Sequence, residues 1–205
     1  SSDVCSSDLM RCLLIEDGNR LILVDTGIGD KQDSKFFSHY DLNGADTLKQ
    51  SLKQHGFAPT DITDVILTHL HFDHCGGAVK REGEKLLPAF PNATYWSHEK
   101  HWEWAVKPNS RERASFLKEN ILPIQESGQL KFVNDGEEIF SGFSNITVYG
   151  HTEAMMLPKI SVNGNTLVYM ADLIPSAGHL PVAYVMAYDV RPLITLTEKE
   201  KFMSE

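Results

Sequence analysis

The sequence predicts an α/β fold in which two β-sheets stack face to face with helices on the outside. Three observations predict it. The chain has 205 residues, one domain's worth, with 41% hydrophobic and 23% charged residues as in an ordinary globular protein. Short apolar runs alternate with helix-period segments through the first half. From Leu130 onward the texture changes to closely spaced short strands. A layered sandwich buries one face of every such element, and neither an internal repeat nor a linker divides the body.

Arg11–Ile15 and Arg20–Val24 flank Glu16-Asp17-Gly18-Asn19 and read as a β-hairpin. A glycine-punctuated loop, Asp25-Thr26-Gly27-Ile28-Gly29, leaves the second strand. Ala45–His55 carries apolar residues at Ala45, Leu48 and Leu52 with Gly56 as a stop, the pattern of a helix. Asp61–Leu67 ends in Val65-Ile66-Leu67, a buried strand, and Ala93–Trp96 is another. Helices are predicted over His98–Val106 and Arg111–Asn120, separated by Pro108 and Asn109. Strands follow over Leu130–Val133, Glu138–Phe140, Ile146–Tyr149, Lys159–Val162 and Thr166–Met170, the last two joined by a turn at Asn163-Gly164-Asn165.

The two ends stand apart. Residues 1–10 lack a signal peptide's basic start and apolar core, and the repeated Ser-Ser-Asp reads as a non-native or disordered leader. Thr197-Glu198-Lys199-Glu200 is a capping-box pattern announcing a helix at Thr197, yet only about two turns remain before Glu205. Residues 11–205 are therefore expected to form a single domain that lacks its C-terminal part.

Composition narrows the function. A net charge of −9 gives nothing to attract a polyanion, so nucleic acid is an unexpected partner. No apolar run approaches the length needed to span a bilayer, so no membrane partner is expected. Three cysteines at Cys5, Cys12 and Cys75 make no disulfide framework and fit a reducing, cytoplasmic setting, with secretion left open by the apparently missing native start.

The chemistry concentrates after the buried strand, in Thr68-His69-Leu70-His71-Phe72-Asp73-His74-Cys75-Gly76-Gly77. A continuing strand would send His69, His71 and Asp73 to one face, and a turn would fold His74 back beside them. Imidazole and carboxylate together suit a borderline cation: zinc first, with manganese, iron or cobalt as alternatives. Leaving four such groups unpaired in one buried place would be costly, so a metal is the economical reading. His151, in Tyr149-Gly150-His151-Thr152, and Asp172, in Met170-Ala171-Asp172-Leu173, each follow a predicted strand and place further donors at strand ends.

The His-x-His-x-Asp-His run at His69–His74, the later Gly150-His151-Thr152 and the still later Ala171-Asp172 resemble the metallo-β-lactamase superfamily of metal-dependent hydrolases. The resemblance runs from about Cys12 to Leu196 and includes the Asp25-Thr26-Gly27 loop. It implies a four-layer αββα sandwich holding two metals at one edge. It assigns His69, His71 and His151 to the first metal, Asp73 and His74 to the second, and Asp172 as a bridge. The superfamily supplies one more histidine for the second metal. His179 follows Asp172 too closely to serve, so that ligand is expected beyond Glu205. Glu153-Ala154 stands where many relatives carry Pro-Gly. Ala171-Asp172-Leu173-Ile174-Pro175 and Val185-Met186-Ala187-Tyr188-Asp189 resemble the branch of N-acyl-homoserine lactonases and related esterases.

The expected activity is hydrolysis of a small-molecule lactone or ester by hydroxide generated on the metals, with Asp73 orienting the nucleophile and later passing a proton to the leaving alkoxide. The alternatives are a metal-binding fragment without turnover, or a thioesterase or phosphoesterase of the same fold. Phe72 and His179 are candidate substrate contacts. His98 and His101 lie at a spacing that could share another cation, but no third donor lies nearby in sequence. Trp96, Trp102 and Trp104 read as core, with an apolar wall for an acyl chain as the alternative, and Cys75 reads as a small buried thiol. Oligomeric state is not legible.

Overall fold

The computed structural model describes residues 10–40, 42, 46–162 and 164–204. The expected leader with Cys5, the helix start at Ala45, and Asn163 of the predicted turn lie outside the described residues. The chain packs as two compact units: Met10–Trp96 with Glu112–Lys131, and Ser97–Arg111 with the segment from Phe132 onward.

The first unit begins with β1 (Leu13–Asp17) and β2 (Arg20–Val24), an antiparallel pair whose register runs from Leu13 opposite Val24 to Asp17 opposite Arg20. Gly18 makes the turn at φ +58°, a conformation glycine adopts without steric cost. The short helix α1 (Ser34–Phe37) is capped by Asp33, whose carboxylate accepts from the Phe36 amide at 2.7 Å. Helix α2 (Leu48–Gln54) starts where a Thr47–Gln50 capping box places it, three residues after the predicted Ala45. Strand β3 (Asp64–Ile66) follows and pairs in parallel with β2. Leu21–Val24 and Val65–Leu67 are buried without alternation, as parallel strands covered on both faces must be.

After β3 come the four-residue helix α3 (Phe72–Cys75) and the hairpin β4 (Val79–Glu82) with β5 (Lys85–Pro88), which periodicity did not reveal. Strand β6 (Thr94–His98) returns parallel to β3. Its end leads into the second unit's helix α4 (Glu99–Val106), with His98 as N-cap. Helix α5 (Lys118–Glu126) corrects the prediction of a helix over Arg111–Asn120. Residues 110–115 are turns instead, because the Ser115 carbonyl is taken by the Phe72 amide at 2.9 Å. The helix then continues through Pro123. Burying Ile121 and Ile124, at about 1.5–3 kcal/mol each, offsets the roughly 3 kcal/mol an internal proline costs. With β7 (Leu130–Val133) the sheet order is β1-β2-β3-β6-β7.

The second unit holds an antiparallel sheet of order β11-β10-β9-β8. Its strands are β8 (Glu138–Phe140), β9 (Phe143–Val148), β10 (Met155–Val162) and β11 (Asn165–Val168). β10 starts four residues before the predicted Lys159, pairing Met155 with Val148. Val148, Met155, Leu157 and Leu173 form an apolar cluster beneath the loops at its end. Helix α6 (Pro192–Ser204) begins five residues before the predicted Thr197 cap. Proline suits a first helical turn, while Thr197 sits inside the helix and donates back to the Leu193 carbonyl at 3.1 Å.

Candidate metal centre

In the first unit, regular pairing stops at Ile66, so the expectation of a strand continuing through the histidines is not met. The cause is Asp25. Its carboxylate accepts from the Thr68 amide and the Thr68 hydroxyl, each at 2.9 Å, and these bonds replace a strand neighbour. Asp25 itself stands at φ +57°, a conformation that aspartate tolerates better than most residues. The chain then turns so that His71 is the N-cap of α3, while Asp73 and His74 lie within the helix. The amide and hydroxyl of Thr26 both reach the His74 carbonyl, at 2.8 and 3.0 Å. The tight return needs Gly76, where a Cβ would lie 2.0 Å from the Ile28 oxygen.

His69 and His71 are buried, with ring centroids 4.6 Å apart, and the His69 and His74 rings are 4.0 Å apart. A nitrogen of His69 lies within 4.8 Å of one on His71 and of one on His74. The hydrogen bonds around Asp25 determine which nitrogens do the donating. An ionised carboxylate only accepts, so His74 Nδ1, 2.8 Å from Asp25 Oδ2, carries its proton there. The Thr68 hydroxyl spends its one proton on Asp25 and therefore accepts from His69 Nδ1, 3.1 Å away. A single carboxylate thus leaves Nε2 as the lone-pair donor on two imidazoles, the arrangement found behind metal-bound histidines. Asp73 Oδ2 lies 3.7 Å from His74 Nε2 and is the more exposed of that pair. Glu112, buried, places Oε1 3.5 Å from His71 Nε2, and the Phe116 ring packs 4.8 Å from the His71 ring.

Phe72 joins an aromatic cluster with Phe36 and Tyr40, at centroid distances of 5.4 and 4.9 Å. Burial, with the charge of Asp73, raises the Tyr40 phenol above its usual range. Cys75 donates to the Leu70 carbonyl, and burial pushes its thiol up to about 12, as expected of an inert thiol. Lys31 is buried with its ammonium on the Gly76 carbonyl, and desolvation lowers it to about 8.

The second unit repeats the device with other residues. His151, buried, follows the end of β9 after the Tyr149-Gly150 link, with Nδ1 2.9 Å from Asp189 Oδ1 and Nε2 3.3 Å from Asp172 Oδ2. Asp189, buried, holds the Nδ1 proton, and the other nitrogen faces the second carboxylate. Asp172 sits in a 3-10 turn whose first residue, Ala171, has φ +41°. His179 is held locally, with Nδ1 2.8 Å from Ser176 Oγ.

Buried imidazoles with one nitrogen committed to a carboxylate or hydroxyl, beside aspartates, fit a divalent cation of borderline softness. His98 and His101 do not converge. His98 accepts from the Lys100 amide and faces Asp135, whereas His101 Nδ1 meets the Glu153 carbonyl. Among the described residues, neither joins a metal-ligating group. The tryptophans have structural partners: Asp64 for Trp96, Phe132 for Trp102 and the Arg191 guanidinium for Trp104. In the sequence Asp25 and Asp189 stand only within motifs, with nothing that marks them as partners of an imidazole. Glu112, Phe36 and Tyr40 had no signal beyond their residue types.

The family profile of the metallo-beta-lactamase superfamily matches residues 11–198. The chain belongs to that superfamily. It is 28% identical over 151 residues to the N-acyl homoserine lactonase AiiA of Bacillus thuringiensis subsp. kurstaki, covering 69% of this chain and 54% of that protein. The chain thus spans about half the length of the curated relatives it matches. Among solved structures, a probable metal-dependent hydrolase from Staphylococcus aureus superposes with TM-score 0.86 at 26% identity, covering 94% of this chain and 68% of that one. AidC, a dizinc quorum-quenching lactonase, superposes with TM-score 0.77 at 25% identity, covering 94% and 67%. The fold is that of the superfamily. No helix among the described residues is long and apolar enough to cross a membrane.

Proposed function

We propose that this chain carries the metal-binding core of a hydrolase acting on a small-molecule lactone or ester. The observation that carries the reading is the fixing of three imidazoles, His69, His74 and His151, by carboxylate or hydroxyl partners that commit Nδ1 and leave Nε2 to donate. His69, His71 and His151 would hold one divalent cation, Asp73 and His74 a second, and Asp172 would be shared. Zinc is the first choice, with manganese, iron or cobalt as alternatives. Cations on such donors supply Lewis acidity and hydroxide at neutral pH.

The chain's own residues do the rest. Asp25 and Asp189 hold the Nδ1 protons of His74 and His151 and fix how the rings are turned, so that Nε2 is the nitrogen left to face a cation. Asp73, whose side chain is 39% exposed, can orient the nucleophile and pass a proton to the departing alkoxide. A lactone suits this because its leaving group stays tethered. The rings of Phe36, Tyr40 and Phe72 offer an apolar surface beside Asp73 for an acyl or alkyl group, and His179 is a second substrate contact. The naming of AiiA and AidC as lactonases supports the same substrate class.

The test is elemental analysis of the zinc-loaded chain together with turnover of an acyl-homoserine lactone, an aryl ester, a thioester and an aryl phosphate. We expect bound zinc and lactone or ester hydrolysis that a chelator abolishes and zinc restores. Zinc-loaded chain that turns over only the thioester or phosphate, or nothing, overturns the lactone and ester reading.

A further inference from the structure

Helix α6 and the segment leading into it surround the two residues before His151. A Cβ on Gly150 would lie 2.3 Å from the Thr195 amide nitrogen, so packing demands glycine there. Glycine is also the residue that least restrains its neighbours. Left alone it would let His151 swing, yet every main-chain polar group from the Tyr149 amide to the Gly150 carbonyl is engaged. The Tyr149 and Gly150 amides donate to Glu198 Oε1 and Oε2, at 2.7 and 3.0 Å. The Tyr149 carbonyl accepts from Arg191 Nη1 at 2.7 Å and the Gly150 carbonyl from the Arg191 amide at 2.8 Å. The His151 carbonyl accepts from the Val190 amide at 3.0 Å, while Asp189 holds the ring.

Among these partners only Glu198 reaches in from the body of α6 and takes two consecutive amides with the two oxygens of one carboxylate. It thereby sets the peptide planes on both sides of Tyr149 and, through Gly150, the direction in which His151 leaves the backbone. We propose that Glu198 is a positioning residue for His151, holding the imidazole in the geometry that ligation requires. This rests on His151 being a metal ligand. Glu198 touches neither the ring nor a reacting atom. A glutamine in its place keeps one acceptor and turns a donor toward the second amide.

The experiment measures zinc affinity of the full chain by chelator competition, and the visible spectrum of the cobalt-loaded protein, in a double-mutant cycle of Glu198→Gln and His151→Ala. Glu198→Gln is expected to weaken binding by about 10- to 100-fold, the usual effect of losing a partner behind a ligand, and to shift the cobalt spectrum. In the His151→Ala background the same substitution is expected to change affinity less than about twofold, because its effect passes through the imidazole. Equal losses in both backgrounds would mean general loosening and would overturn the assignment, as would an unchanged affinity in the single variant. Lys199→Met removes three bonds from the neighbouring side chain to the His179, Pro181 and Tyr184 carbonyls, and serves as the control for damage to α6. Its affinity should stay within about threefold of wild type, and a loss equal to that of Glu198→Gln also overturns the proposal. A His151→Ala variant that binds zinc like wild type would instead remove the ligand assignment on which the inference stands.

Discussion

The His69–His74 segment and the His151 loop present imidazoles in the same way and reach that state by different routes. In the first, four donor residues lie within six positions, and Asp25, more than forty residues upstream, fixes two of their rings. In the second, His151, Asp172 and Asp189 come from three separate loops, and every restraint on the histidine is separately supplied. Clustering in sequence makes one carboxylate sufficient. A dispersed set needs a scaffold, here the stretch from Asp189 to Glu198.

The largest expected effect tests the shared anchor. Asp25→Asn puts an amide against three donors, so it should disturb His69 and His74 together. Zinc affinity is expected to fall by more than 100-fold, with a loss of about 3 kcal/mol or more in urea unfolding as buried donors lose their acceptor. An effect no larger than that of Asp189→Asn would break the claim that one carboxylate serves two rings. Asp189→Asn touches only His151, and its expected cost is about 10- to 100-fold in affinity, read by the same competition assay.

A pH experiment probes the first region's underside. Lys31 is lowered from its usual 10.5 to about 8 by burial, so the unfolded chain binds more protons between those values. The penalty for burying the ammonium is fully present below about pH 8 and is relieved as pH rises toward 10.5. Wild type should therefore gain stability relative to Lys31→Met across that window, by up to about 3 kcal/mol. Comparison with the variant cancels the opposing effect of Cys12, raised to about 12. A flat difference in urea midpoints from pH 8 to 10 would refute it. The smallest effect concerns substrate: Phe72→Ala should raise KM for a long-chain lactone several-fold while leaving zinc content unchanged, and an equal change for a short-chain substrate would remove the aromatic surface from the account.

The first region was legible because its donors are adjacent and its flanking strand is a plain apolar run. His151 and Asp172 were legible only as donors after strands. What escaped was anything carried by non-local partners. The capping box at Thr197 misplaced the start of α6, because Pro192 and the packing against Gly150 set it instead. The helix over Arg111–Asn120 moved because the Ser115 carbonyl serves Phe72. Asp25 looked like one more turn residue, since nothing in a linear string states which amide or imidazole a carboxylate will meet.

By itself, the sequence determined the residue types that can hold a cation, the order of the longer strands and helices, and the superfamily to which they belong, because donor chemistry and hydrophobic period are local properties of the chain. Only the tertiary structure decided which nitrogen of each imidazole donates, which glycines must stay glycine and which acids stand behind the ligands. Those are settled by hydrogen-bond direction and steric distance between residues tens of positions apart, and both exist only once the chain has folded.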